Sequence, residues 1–282
     1  MTQPILPAQP LRGVPWSPRP FGPCRVPRVV PSLLTHGIAG HRTEEIGKTA
    51  LQQAVEGDLA PAKQAAIAAI DVDGTLFSKR AAQTVFLSHL RAAGLLDRAA
   101  FARLVAIYLL HRVGLMDPVK ARQRGLALLD GLPVAQAEQM ADRLSAELLP
   151  LVRPEARAEL AALRARGLCV LLVSASLGMV VRRLAEGLGA DGYLASELVV
   201  VGESCRGAYA GPVLEGRQKW IALHAFADER FGQGGWALAA AYGDSVDDVA
   251  LLEHAAEAVA VNARGGLARA ARRHGWRRVA WR

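Results

Sequence analysis

The chain has 282 residues, 51% of them hydrophobic, which is enough for one α/β core and a smaller insert. Its formal charge of +8 and pI near 9.9 suit anionic partners, whether small phosphates, nucleic acid or an acidic membrane surface. Cys24, Cys169 and Cys205 are widely spaced and odd in number, which fits a reducing, cytoplasmic setting with no disulfide framework.

Nine of the fifteen prolines fall in the first 31 residues, and no Asp or Glu occurs before Glu44. Residues 1–43 therefore read as a disordered Pro/Arg-rich leader with no continuous apolar stretch for a secretory signal. Residues 44–64 read as a linker with a short helix. Ala66–Ile70 is a short apolar run ending in acids, the pattern of a buried parallel strand. Residues 79–154 are helical in pattern almost throughout, with a stripe at Phe101, Leu104, Val105, Tyr108 and Leu109. The run from Phe101 to Met116 carries Arg103, His111 and Arg112 and is too short to span a bilayer, so no transmembrane segment is expected. Strand and helix alternation resumes at Leu168–Val173, Gly192–Val201, Trp236–Tyr242 and Ala258–Val261. The expected fold is a doubly wound, Rossmann-like α/β parallel sheet formed by residues 65–78 and 155–282, with an all-helical cap inserted at 79–154.

The polar clusters sit where such strands end. In Asp71-Val72-Asp73-Gly74-Thr75 two carboxylates lie two residues apart after a strand, so they can point the same way. Two anions that close repel unless a cation offsets them, and Mg2+ is the hard, oxygen-seeking choice. Asp and Gly are also turn formers, which leaves the pair open to a structural reading. Ser174 and Ser176 follow the second apolar strand and open a helix, suited to holding a phosphate oxygen or simply to capping. Lys219 precedes an amphipathic helix. In Gly243-Asp244-Ser245-Val246-Asp247-Asp248, Asp244 and Asp248 are one helical turn apart and can face one ion.

The order of these four signals along the chain resembles the haloacid dehalogenase superfamily, and within it the phosphoserine-phosphatase-like branch, over about residues 65–280. The resemblance implies that Asp71 attacks phosphorus to give an aspartyl-phosphate and that Asp73 protonates the leaving alkoxide and then activates water. It further implies that Ser174 holds a phosphate oxygen and Lys219 neutralises charge on Asp71 and the phosphoryl group. Mg2+ is then held by Asp71, the backbone carbonyl of Asp73 and Asp244, with Asp248 orienting this shell from behind and Asp247 beside it. The implied activity is Mg2+-dependent hydrolysis of a small organic phosphomonoester.

Two departures bear on substrate. That branch generally carries Glu nine residues after the nucleophile, where this chain has Arg80, which favours a further anionic group over an ammonium. The last motif of the branch usually reads GDGxND, against Ser245 and Asp247 here. Asp73 argues against the magnesium-independent dehalogenases, while phosphomutases keep both aspartates and remain an alternative. An apolar cap rich in Leu and Val also admits an amphiphilic lipid phosphate. A third reading is a basic module for nucleic acid or membrane surfaces with an inactive core, although the expected partner is a small phosphomonoester rather than nucleic acid. The sequence leaves the oligomeric state open.

Overall fold

The computed structural model describes residues 64–78 and 125–282, with His89, Gly94, Ala99, Ala102, Arg103, Ala106 and Ile107 between them. The leader, most of the predicted cap and Arg80 lie outside the described residues.

The alanine-rich run forms strand β1 (Ala65–Asp71), although alanine favours helices. Tertiary context overrides propensity here, because β1 is hydrogen-bonded on both sides to parallel neighbours, β2 (Cys169–Leu177) and β6 (Trp236–Gly243). With β3 (Gly192–Ser196), β7 (Glu257–Val261) and β8 (Arg277–Val279) they make one six-stranded parallel sheet in the order β3-β2-β1-β6-β7-β8. The order reverses direction between β1 and β6, and in such sheets ligands bind at the carboxyl ends of the strands beside that switch point.

Alternating residues of the central strands feed two apolar clusters, as burial on both faces of a parallel sheet requires. On one face Ala68, Ile70, Val170 and Leu172 pack with helices α1 (Val134–Leu148), α2 (Pro154–Ala165) and α3 (Gly178–Leu188), through Leu144, Leu160 and Leu184 among others. On the other, Ile67, Ala69, Leu171 and Val173 meet α4 (Arg217–Phe231), the one-turn α5 (Val249–Leu252) and α6 (Gly265–His274), through Leu223, Phe226, Leu251 and Leu267. Cys169 is buried in the second cluster, as an apolar filler should be.

Three details differ from the sequence reading. The run Gly192–Val201 is two strands: β3 stays in the sheet, while β4 (Leu198–Val201) leaves it after Glu197 and pairs antiparallel with β5 (Ser204–Tyr209). Gly202 makes the intervening turn with φ 60°, a conformation that favours glycine. β8 was not anticipated because its residues are mostly charged, which is permitted at a sheet edge. β2 continues through both serines to Leu177, so α3 begins four residues after Ser174 rather than at it. No helix of the described residues is long and apolar enough to cross a membrane.

Candidate active site

Asp71 ends β1 and is 4% exposed. Its Oδ1 accepts from Lys219 Nζ at 2.6 Å, and its Oδ2 accepts from Thr75 Oγ1 at 2.9 Å. Lys219 sits in the first turn of α4, and its Nζ also donates to Asp248 Oδ1 at 2.5 Å. One ammonium thus joins the end of β1 to the turn after β6.

Asp248 is fully buried at the end of a 3-10 turn (Val246–Asp248) and uses its second oxygen to hold its own loop. Asp248 Oδ2 accepts from the backbone amides of Asp244 and Ser245, each at 3.0 Å, and from Ser245 Oγ at 3.2 Å. This reciprocal cap fixes Asp244 through its own amide. Gly243 is required for it: a Cβ there would lie 2.3 Å from the Cβ of Asp248. Trp220 stacks on His254 at 3.8 Å between ring centroids, tying α4 to the chain just beyond α5 and so supporting the Lys219–Asp248 contact from outside.

Asp71, Asp244 and Asp248 come together, each offering a carboxylate oxygen within 4.8 Å of the others. The side chain of Asp73 turns elsewhere, towards β2: Ser176 Oγ donates to Asp73 Oδ2 at 2.5 Å and Ser174 Oγ to the same oxygen at 3.3 Å. Ser174 is fully buried and also accepts the amide of Ser176 at 3.0 Å. Asp247 is exposed on the 3-10 turn. Ser176 was not singled out from Ser174 in the sequence, although two hydroxyls two apart on an extended strand face the same way, as Asp71 and Asp73 do.

Electrostatics favour a bound cation. Burial first, then Asp248 and to a lesser extent Asp244, raise the carboxyl of Asp71, Lys219 pulls it back, and the net is a carboxyl pushed up to about 7. Burial alone would lower the Lys219 ammonium, but Asp71 and Asp248 more than offset this and raise it. Three carboxyl groups share one ammonium here, so a bound cation would offset the repulsion that raises Asp71. The donors are hard oxygens with no thiol or imidazole among them, a set that fits Mg2+.

A family model of haloacid dehalogenase-like hydrolases matches residues 68–253. The chain is 30% identical over 154 residues to phosphoserine phosphatase SerB2 of Mycobacterium tuberculosis, covering 55% of this chain and 36% of that protein's length. It therefore spans only about a third of that relative. Among solved structures, a protein of unknown function from Bordetella pertussis Tohama I superposes with a TM-score of 0.66 at 23% identity, covering 77% of this chain and 98% of that one. A probable phosphoserine phosphatase from Vibrio cholerae superposes with a TM-score of 0.58 at 19% identity, covering 82% and 67% respectively. These structures share the fold, and the family match spans the three elements that carry Asp71, Lys219 and Asp248, so the chain belongs to the haloacid dehalogenase-like hydrolase family.

Proposed function

We propose that the chain is a Mg2+-dependent phosphomonoester hydrolase working through an aspartyl-phosphate on Asp71, with a small organic phosphate as substrate. The observation that carries this reading is the buried Asp71–Lys219–Asp248 bridge with Asp244 beside it, at the carboxyl ends of β1 and β6.

Asp71, Asp244 and the backbone carbonyl of Asp73 would hold Mg2+, which supplies hard positive charge against the phosphate oxygens. The chain's own residues do the rest. Lys219 fixes one oxygen of Asp71 and Thr75 the other, so the nucleophile is aimed before substrate arrives. An Asp71 oxygen forms a bond to phosphorus as the ester P–O bond breaks, and Asp73 gives the leaving alkoxide its proton. Asp73 then takes a proton from water, whose oxygen attacks phosphorus, breaking the bond to Asp71 and releasing inorganic phosphate. Ser174 would donate to a non-bridging oxygen of the substrate, and Lys219 offsets the charge that builds on the transferring group.

The second reading is an amphiphilic phosphate, and the observation that favours it is a small apolar hollow beside the serines. Leu132, Met140, Leu177 and Met179 line it, and Leu177 directly follows the serine that holds Asp73.

The test is phosphate release from a panel that includes phosphoserine, sugar phosphates and decyl phosphate, with and without Mg2+, for the native chain and Asp71→Asn. The expected result is release that needs Mg2+ and vanishes in the variant. Equal or absent release from both folded proteins, with Mg2+ present, overturns the reading. Sugar-phosphate isomerisation without free phosphate would mark a phosphomutase instead.

A further inference from the structure

Three consecutive carbonyl oxygens after the nucleophile converge on a single residue from another element. Arg153 Nη1 donates to Gly74 O at 3.0 Å and to Thr75 O at 2.8 Å, while its backbone N–H donates to Leu76 O at 2.9 Å. These carbonyls belong to the tight turn between Asp73 and Phe77, closed by Leu76 N–H to Val72 O and by Gly74 N–H to Phe77 O, both at 2.9 Å. Gly74 sits there at φ 99°. Carbonyls at the end of such a turn have no partners within it, and a guanidinium, planar and always charged, can satisfy two at once.

Local sequence prepares Arg153 for this task. The residue before Pro154 is held extended, φ −55° and ψ 135°, at the start of α2. Its backbone N–H is therefore outside the helix and reaches Leu76 O, while the side chain lies across the turn.

What the turn carries makes the contact more than a scaffold bond. Thr75, whose carbonyl Arg153 binds, gives its hydroxyl to Asp71 Oδ2. Asp73, directly before Gly74, presents its carboxylate to Ser174 and Ser176. Nucleophile and acid are thus both set by a five-residue turn whose far side rests on one arginine. We propose that Arg153 is a positioning residue for the reaction, holding Asp71 and Asp73 in mutual register through the carbonyls of Gly74, Thr75 and Leu76. The proposal rests on the phosphohydrolase reading above.

The experiment compares the full chain with Arg153→Ala and Arg153→Lys, using the best substrate of the panel at saturating Mg2+, and records kcat, KM and the unfolding temperature. Loss of the two charged hydrogen bonds is expected to lower kcat of Arg153→Ala by about tenfold to a hundredfold, with KM within about twofold. Arg153→Lys should retain an intermediate kcat, because an ammonium can serve one carbonyl well but lacks the planar fork. Guanidinium chloride far below denaturing concentrations should restore part of kcat to Arg153→Ala and nothing to Asp71→Asn. Native kcat in Arg153→Ala overturns the proposal. So does a fall in kcat that tracks a lower unfolding temperature and responds neither to lysine nor to guanidinium, since Arg153 then serves stability alone. An inactive native chain is a separate outcome that overturns the hydrolase reading, and the proposal with it.

Discussion

Replacing Asp71 by asparagine should stabilise this protein when no divalent cation is present. Asp71 is 4% exposed, and its carboxyl is raised from 3.8 to about 7, first by burial and then by Asp248, despite Lys219. A rise of about three units at 1.36 kcal/mol each means that ionising Asp71 costs the native state about 4 kcal/mol relative to the unfolded chain. The sign follows from proton counts. Between about pH 4 and pH 7 the native state binds more protons than the unfolded chain, so this group makes stability fall as pH rises through that window and level off above it. Asp71→Asn keeps a neutral side chain of the same shape, and its amide oxygen can still accept from Lys219. In EDTA at pH 8 the variant should therefore be more stable than the native chain by about 2–4 kcal/mol, and at pH 4 by less than about 1 kcal/mol. Urea unfolding at the two pH values reads the difference. Added Mg2+ should raise the native midpoint more than the variant's, since the ion binds the folded carboxylate set. A variant less stable than the native chain at pH 8 in EDTA would refute the reasoning, because it would mean that Lys219 already compensates the charge on Asp71.

Two further substitutions probe the same network. Lys219→Met removes the ammonium that touches Asp71 and Asp248, both buried, and should cost about 3–5 kcal/mol in urea unfolding at pH 8; a cost below about 1 kcal/mol would place the bridge among ion pairs of no structural weight. Ser176→Ala deletes the hydroxyl 2.5 Å from Asp73 Oδ2 and should lower kcat about tenfold to a hundredfold with KM little changed, whereas Ser176→Thr keeps most of the rate. A raised KM at native kcat would instead assign Ser176 to substrate binding.

Much of the sheet was legible because its strands are short apolar runs that end in polar residues, and this holds for Ala65–Asp71 although four of its seven residues are alanine. The β4–β5 hairpin was not, since Gly192–Val201 reads as one strand-like run interrupted only by Ser196 and Glu197, and only pairing partners reveal that the chain turns out of the sheet there. β8 was hidden for the opposite reason: an edge strand needs only one good face, and Arg277 and Arg278 mask it.

Within the site, legibility follows how far each contact reaches along the chain. Asp71 with Asp73, and Asp244 with Asp248, are local patterns that strand and helix periods can read. Lys219 is not such a pattern, since its nearest reading is a solvated lysine at a helix start, yet it is 3% exposed between carboxylates 148 residues before it and 29 after it. Arg153, 78 and 79 residues from the carbonyls it binds, carries no local signal beyond standing before a proline. The same limit applies to charge. The overall +8 suggested basic arms, but Arg277 at the C-terminal end is engaged in the fold, its guanidinium 3.1 Å from Glu159 and 3.3 Å from Glu257. Glu159 also accepts from the buried Tyr242, the residue two before Asp244, so part of the C-terminal basic run braces the strand that delivers one carboxylate of the acidic cluster instead of offering charge to a polyanion. Net charge therefore describes what the chain attracts at a distance, while the acidic excess around Asp71 decides which ion it can hold.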